Sequence, residues 1–111
     1  MLRKLVIKRS KWIRGGCDGI SRLQNEYGNR CCLGFYGCQL GIRSNRLKNK
    51  GSPFMVKSSL WPKWLVDDCY NSYECSELIG INDDSFLPEF KREKRIAEIF
   101  KKHGVTVKFI D

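Results

Sequence analysis

Residues 89–110 read EFKREKRIAEIFKKHGVTVKFI, and this stretch decides the fold. Acidic residues come early in its first part and lysines come late, an order that suits the dipole of an α-helix. Gly104 is a typical helix terminator, and residues 105–110 alternate as a half-buried β-strand does. We therefore predict a helix over 89–103 followed by a strand. The inward stripe of the helix consists of Ile96, Ile99, Phe100 and His103.

The rest of the predicted core lies N-terminal to this stretch. Leu5-Val6-Ile7 is an apolar run typical of a strand, and helices are predicted over 32–40 and 73–81, the second capped by Ser72 or Asn71. A chain of 111 residues is long enough for one domain. We expect a single α+β domain over residues 1–111. Its N- and C-terminal strands share one short sheet, which about three helices cover.

Three segments connect these elements. Residues 21–33 resemble a β-hairpin whose turn is Gly28-Asn29, since both residue types tolerate positive φ. Residues 43–59 are basic and contain Gly and Pro, so we predict a long loop, a type of segment that often carries function. The aromatic cluster at 60–66 is predicted to be core.

The charge of the chain is unevenly distributed. The net charge is +9, with 14 Lys and Arg against 2 Asp and Glu in residues 1–65, but 7 against 10 in residues 66–111. This asymmetry favours an anionic partner, which would be an acidic protein, a nucleotide or a nucleic acid. It is equally consistent with an excess that only keeps a small protein soluble.

The predicted binding surface combines basic residues with an interleaved tryptophan. Cationic side chains hold phosphates, and an aromatic ring stacks on a base. A solvated strand edge protected by lysines would have the same composition. The predicted binding residues are Arg9, Lys11, Trp12, Arg14, Arg43, Arg46, Lys48 and Lys50.

Location and cysteine chemistry are linked. Residues 1–9 interrupt their apolar positions with charge, whereas a secretory signal needs about 7 to 15 unbroken apolar residues. No stretch approaches the roughly 20 apolar residues of a membrane span. We therefore expect a cytoplasmic protein without membrane association and with reduced thiols. The cysteines have no Cys-x2-Cys spacing, so we expect no metal and no cofactor. They are Cys17, Cys31, Cys32, Cys38, Cys69 and Cys75.

Cys31-Cys32 is the first candidate for chemistry. The pair lies where a strand meets the N-terminus of the predicted helix over 32–40, and a helix N-terminus lowers a thiol pKa and favours nucleophilic cysteines. His103, the single histidine, would have to supply the base. The alternative, which we favour, is that the cysteines are small buried hydrophobic residues.

Asn82-Asp83-Asp84 is the second candidate. Adjacent carboxylates ligate Mg²⁺ or act as an acid and base pair, but the same residues also end one helix and cap the next. If the helices pack on one sheet, Cys32 and Asn82 can meet. We favour a scaffold, in which Asp83 or Asp84 accepts backbone amides, over an active site.

These motifs resemble those of a group of small phage and prophage proteins of uncharacterised activity. The shared features are a Cys-Cys-Leu-Gly segment (residues 31–34), an (Ile/Leu)-Asn-Asp segment (81–83) and an Arg-Glu pair in the last helix (Arg92-Glu93). The resemblance implies a viral accessory protein in the host cell. Proteins of this kind frequently antagonise host systems, including defence.

Three functions follow. The first is a non-enzymatic binder or inhibitor of a host factor, for example an anti-defence protein, that acts through the basic surface. The second is a nucleic-acid-binding protein that uses the same surface. The third is a cysteine- or metal-dependent enzyme at Cys31/Cys32 and Asn82-Asp83-Asp84.

Overall fold

The computed structural model describes residues 2–15, 22–68 and 70–111. Its helices and strands interleave along the chain, and the predicted α+β fold is confirmed. The elements are β1 (Lys4–Lys8), α1 (Cys32–Leu40), α2 (Ser44–Leu47), β2 (Val66–Asp67), β3 (Tyr70–Asn71), α3 (Tyr73–Asp83), α4 (Glu89–Lys102) and β4 (Thr106–Ile110), with 3₁₀ turns at Arg9–Lys11 and Pro53–Met55.

The terminal strands share a sheet, as predicted. β1 and β4 pair in parallel, and the alternate residues Leu5 and Ile7 of β1 are fully buried beneath the helices. On β1, the Gln39 amide of α1 accepts a hydrogen bond from Val6 N at 3.0 Å and donates one to Val6 O at 2.7 Å. The side chain thereby satisfies backbone groups that would otherwise need another strand. β2 and β3 form a separate antiparallel ribbon.

Helix α1 is almost entirely buried because two of its glycines allow close approach. A Cβ on Gly34 would lie 1.7 Å from the Leu23 carbonyl oxygen, and one on Gly37 would lie 2.6 Å from the Trp61 ring. Gly41 ends the helix in the left-handed conformation, with φ 106°.

The two C-terminal helices follow the predicted pattern with shifted ends. The Ser72 hydroxyl accepts the Cys75 amide and caps α3, which continues to Asp83. Helix α4 ends at Lys102, so His103 is the residue after it and only partly buried. The remaining stripe of α4, Ile96, Ile99 and Phe100, is buried as predicted.

The predicted hairpin over 21–33 is wrong as a pair of strands, although its turn is present. Asn25 N donates to Asn29 O, while Gln24 pairs with Lys48 and Arg30 pairs with Trp12 in isolated bridges. The neighbouring Leu23 is fully buried, so this segment packs under α1 and its flanks find partners elsewhere. Residue 21 lies outside the described residues.

The predicted long loop over 43–59 is also more ordered than expected. It contains α2 and the 3₁₀ turn at Pro53–Met55. The reason is local burial, since Leu47 and Pro53 are enclosed in the core region. Among the residues that the structure describes, no helix has both the length and the apolar character that a membrane crossing requires.

Candidate functional site

The motifs singled out from the sequence meet around one buried side chain. Asn82 is 1% exposed, and its Oδ1 accepts hydrogen bonds from Trp12 Nε1 at 2.8 Å and from Cys32 N at 3.0 Å. Its Nδ2 donates to the Ile13 carbonyl and to Asp83. Asn82 therefore caps the first turn of α1 and joins it to the N-terminal segment. Cys32 and Asn82 meet, as predicted.

Arg92 completes this arrangement from α4. It is 4% exposed and donates to the carbonyls of Ile81, Asn82, Asp84 and Leu87 at 2.8–3.0 Å. These carbonyls belong to the end of α3 and the loop after it, where a helix leaves backbone acceptors without partners. We call Trp12, Cys32, Asn82 and Arg92 the motif junction.

The thiols in and beside the motif junction are not activated. Burial raises the pKa of Cys31 to about 11 and that of Cys75 to about 12, and it raises the pKa of Cys32 well above its usual value. They are neutral thiols near pH 7, which is the opposite of the lowered pKa that a nucleophile needs. The four described cysteines are free: Cys31, Cys32, Cys38 and Cys75. Cys17 and Cys69 lie outside the described residues.

The carboxylates of the Asn82-Asp83-Asp84 segment have structural contacts. Asp83 accepts from the Asn82 amide, and Asp84 Oδ1 accepts from Phe86 N at 2.9 Å in the turn before α4. The cavity beside Cys32 and Asp83 measures only about 10 Å³, too little for a substrate. Within the described part of the chain, no cluster of three His, Cys, Asp or Glu could hold a metal ion. The contacts are those of a scaffold.

Two of the N-terminal basic residues, Arg9 and Arg14, form ion pairs with carboxylates of α4. Arg9 makes a two-pronged ion pair with Glu93 at 2.8 Å and a second pair with Asp111, and the hydrogen bond with Glu93 raises the pKa of Arg9. Arg14 pairs with Glu89 at 2.8 Å and lies over the Trp12 ring.

Trp12 is not an exposed aromatic platform. Its side chain is 5% exposed, and its indole N–H is bonded to Asn82. Burial of so large an aromatic ring in the apolar interior is more favourable than exposure at the surface, and Trp12 is buried. The predicted stacking residue of the basic surface is therefore part of the core.

The basic residues of the middle segment lie on neighbouring, hydrogen-bonded stretches of chain. Leu23 N donates to Lys50 O, Asn49 N donates to Gln24 O, and Arg22 binds the Asn49 side chain. These bonds bring residues 22–24 beside residues 48–50.

Arg30 and Arg46 extend the same surface. Arg30 donates to Gln24 Oε1 and to Ser44 Oγ, and Arg46 donates to the Lys57 carbonyl. No ion pair with another described residue neutralises any of these cations. We call this set the cationic face, and its members are Arg22, Arg30, Arg43, Arg46, Lys48 and Lys50.

The structure thus divides the predicted binding residues. Arg43, Arg46, Lys48 and Lys50 belong to the cationic face, whereas Arg9 and Arg14 pair with α4 and Trp12 is buried against Asn82 and Phe109. Lys11 is exposed and borders the cationic face, since its carbonyl accepts from Arg30 N at 2.9 Å.

Two members of the cationic face and one aromatic neighbour were missed in the sequence. Arg22 and Arg30 flank the turn at 25–29, and Tyr27 in that turn is 77% exposed. Their position in the basic half was the available signal, but the hairpin interpretation assigned them only to strand ends.

Comparisons with known proteins give no family for this chain. No family model, no curated protein and no solved structure matches it.

Proposed function

We propose that this protein is a small phage-type accessory protein that binds and inhibits a host factor, for example one of a defence system, without catalysing a reaction. The cationic face is the binding surface, and the partner presents an acidic protein surface. The observation that supports this proposal is that six cations lie on neighbouring, hydrogen-bonded segments and have no neutralising partner among the described residues. Complementary charge steers encounter and selects the partner.

The contrast with the enzyme hypothesis supports this choice. The cysteine and Asn-Asp motifs make contacts that hold the fold together, and the thiols have raised pKa values. The cations of the cationic face, in contrast, make hydrogen bonds to neutral groups but no ion pair with another described residue. Exposed charges contribute little to stability, so their accumulation on one surface is better explained by binding.

The test compares two triple variants of equal charge change. Arg43→Glu/Arg46→Glu/Lys48→Glu alters the cationic face, and Lys91→Glu/Lys94→Glu/Arg95→Glu alters exposed cations of α4. Pull-down from host lysate, with and without nuclease, identifies the partner by mass spectrometry, and affinity for the purified partner is then measured. We expect the first variant to lose about 30-fold or more in affinity and the second to lose about threefold or less.

Both variants should melt close to the wild-type temperature, because exposed charges add little to folding. Equal loss of affinity in the two variants would show that only net charge matters and would reject the cationic face. Parallel loss of melting temperature and affinity in the first variant would show that these residues are structural.

Nucleic acid is the second candidate, and Tyr27 is the observation that favours it. Its ring is 77% exposed in the turn between Arg22 and Arg30, where it can stack on a base while the arginines contact phosphates. With about six phosphate contacts, affinity for a single-stranded oligothymidylate should fall about 300-fold between 50 and 200 mM salt.

Tyr27→Ala should weaken that binding, whereas Tyr73→Ala, a change at a tyrosine 82% exposed on α3, should not. Nuclease treatment that abolishes the pull-down would also select this candidate over a protein partner.

A further inference from the structure

A cavity of about 580 Å³ lies on the side of the molecule formed by α1, the segment 59–64 and the residues that follow α4. This volume falls in the range of small-molecule sites, which are about 300–1,000 Å³ and mainly apolar or aromatic. Its walls include Tyr36, Leu40, Leu60, Trp61 and Trp64, with His103 at one end. No member of the cationic face lines it.

The aromatic walls are held by contacts outside the cavity. Trp61 Nε1 donates to the Val56 carbonyl at 3.0 Å, and the close approach of Gly37 lets the Trp61 ring pack on α1. Trp64 stacks on the His103 ring at 4.1 Å and 3°. His103 Nε2 in turn lies 2.8 Å from Glu74 Oε1. The cavity is therefore largely preformed.

Two other cavities of similar volume lack this construction. One, between α3 and α4, is lined mainly by long charged side chains such as Glu77, Arg95 and Glu98. The other shares the Trp61 ring but is bordered by the exposed residues Phe54 and Met55. Neither has rings fixed by hydrogen bonds and stacking on more than one wall.

The polar groups at the aromatic cavity indicate the charge of its ligand. Gln39 is bonded to β1, and His103 is bonded to Glu74, which Lys102 also pairs at 3.2 Å. Burial raises the pKa of Tyr36, so its phenol stays neutral, although a hydrogen bond with Trp64 opposes the shift. None of the described lining residues is a carboxylate that could neutralise a cation.

We propose that this cavity binds a planar aromatic small molecule of one or two rings that carries no positive charge. The partly buried Trp64 ring supplies stacking, the rings of Trp61 and Tyr36, which are 5% and 3% exposed, supply edge contacts, and the leucines enclose the apolar remainder. The site is separate from the cationic face and does not depend on the proposed function.

The experiment uses the three indole N–H signals of the chain in ¹H–¹⁵N spectra. Trp61 and Trp64 line the cavity, whereas Trp12 is bonded to Asn82 in the motif junction and serves as an internal reference. Indole-3-acetate and tryptamine are the probes, since they share a ring and differ in charge. We expect indole-3-acetate to shift the Trp61 and Trp64 signals saturably with a Kd of about 1 mM or tighter. Tryptamine should bind at least tenfold more weakly, and the Trp12 signal should stay in place.

Leu60→Glu places a carboxylate at the mouth of the cavity, where Leu60 is 46% exposed, so the fold should be retained. It should abolish indole-3-acetate binding and strengthen tryptamine binding. Phe90→Glu, at a residue 71% exposed on α4, is the matched control and should change neither.

Four outcomes would overturn the assignment. The first is no shift of Trp61 and Trp64 up to the solubility limit, and the second is an equal shift of Trp12. The third is saturable binding of tetramethylammonium, which would identify an aromatic cage for cations. The fourth is binding of tryptamine as tight as that of indole-3-acetate, which would show that the cavity does not exclude positive charge.

Discussion

The motif junction and the cationic face are both rich in residues that suggest function, yet they differ in how far their polar groups are buried and how far the neighbouring charges are paired. At the motif junction, Asn82 and Arg92 direct every described hydrogen bond into the protein, and the adjacent Arg9 and Arg14 are paired with carboxylates of α4. On the cationic face, the charges have no such partners among the described residues. A conspicuous sequence motif can therefore serve to stabilise the fold. A surface of lysines and arginines without ion pairs to other described residues is, in contrast, available for binding.

The sharpest way to break this comparison is to remove Arg92. Arg92→Met should destabilise the protein by about 3–5 kcal/mol, because four backbone carbonyls lose their buried charged donor. Urea denaturation measures the loss. Arg46→Met on the cationic face is the control and should change the unfolding free energy by about 0.5 kcal/mol or less. Equal and small effects at both sites would contradict the structural role of the motif junction.

The next comparison concerns the two central motifs. Cys32→Ser should cost about 1–3 kcal/mol, because Cys32 is fully buried and a serine hydroxyl there would lack good partners. Asp84→Asn should cost less, since asparagine still accepts the Phe86 amide. Cys38→Ser, at a partly exposed position, is the matched control. Variants that keep wild-type stability but lose host-factor binding would instead identify an active or binding site at the motif junction.

Charge reversal should lower Tm more at an arginine that pairs with a carboxylate than at one without an ion pair to another described residue. Arg14→Glu places two carboxylates together, because Arg14 pairs with Glu89, and should cost about 1 kcal/mol or about 4 °C in Tm. Arg43→Glu should leave Tm nearly unchanged. Thermal unfolding at low salt measures the difference, which added salt should reduce. Similar Tm shifts in both variants would show that the cationic face is also required for folding.

The smallest expected effect is a dependence of folding stability on pH, which arises from a carboxylate that is paired in the folded state. Desolvation opposes the shift, but hydrogen bonds with His103 and Lys102 lower the pKa of Glu74 below its ordinary 4.5. A lowered pKa in the folded state contributes stability above about pH 4.5, and this stability is lost as pH falls through the folded-state value. Glu74→Gln should therefore flatten the acid side of the stability profile. A profile identical to wild type would show that the pairing has no effect on folding.

Parts of the fold were predictable because they depend on near neighbours. Residues 89–104 contain the apolar stripe of α4, the charges that suit its dipole and the terminating Gly104. Local periodicity therefore predicts this helix and the strand after it. The terminal strands were identified for the same reason. The hairpin over 21–33 failed because its flanking residues pair with Lys48 and Trp12, which are distant in sequence.

The candidate site was predictable only in part. Four of the predicted binding residues are on the cationic face, but Trp12 was assigned to the surface because composition does not report burial. In the sequence, Arg92 is recognisable only as one half of an Arg-Glu pair, because no sequence pattern predicts that an arginine will cap the end of another helix. Tyr27 was hidden by the hairpin interpretation.

The sequence by itself determined the α+β class, the amphipathic α4 and the excess of positive charge in the first half. Tertiary structure alone decided which of those charges are paired with carboxylates in the part of the chain that the structure describes. Arg9 meets Glu93 across 84 positions and Trp12 meets Asn82 across 70. Propensity and periodicity act over a few residues, whereas neutralisation and burial depend on which distant segments the packed core brings into contact.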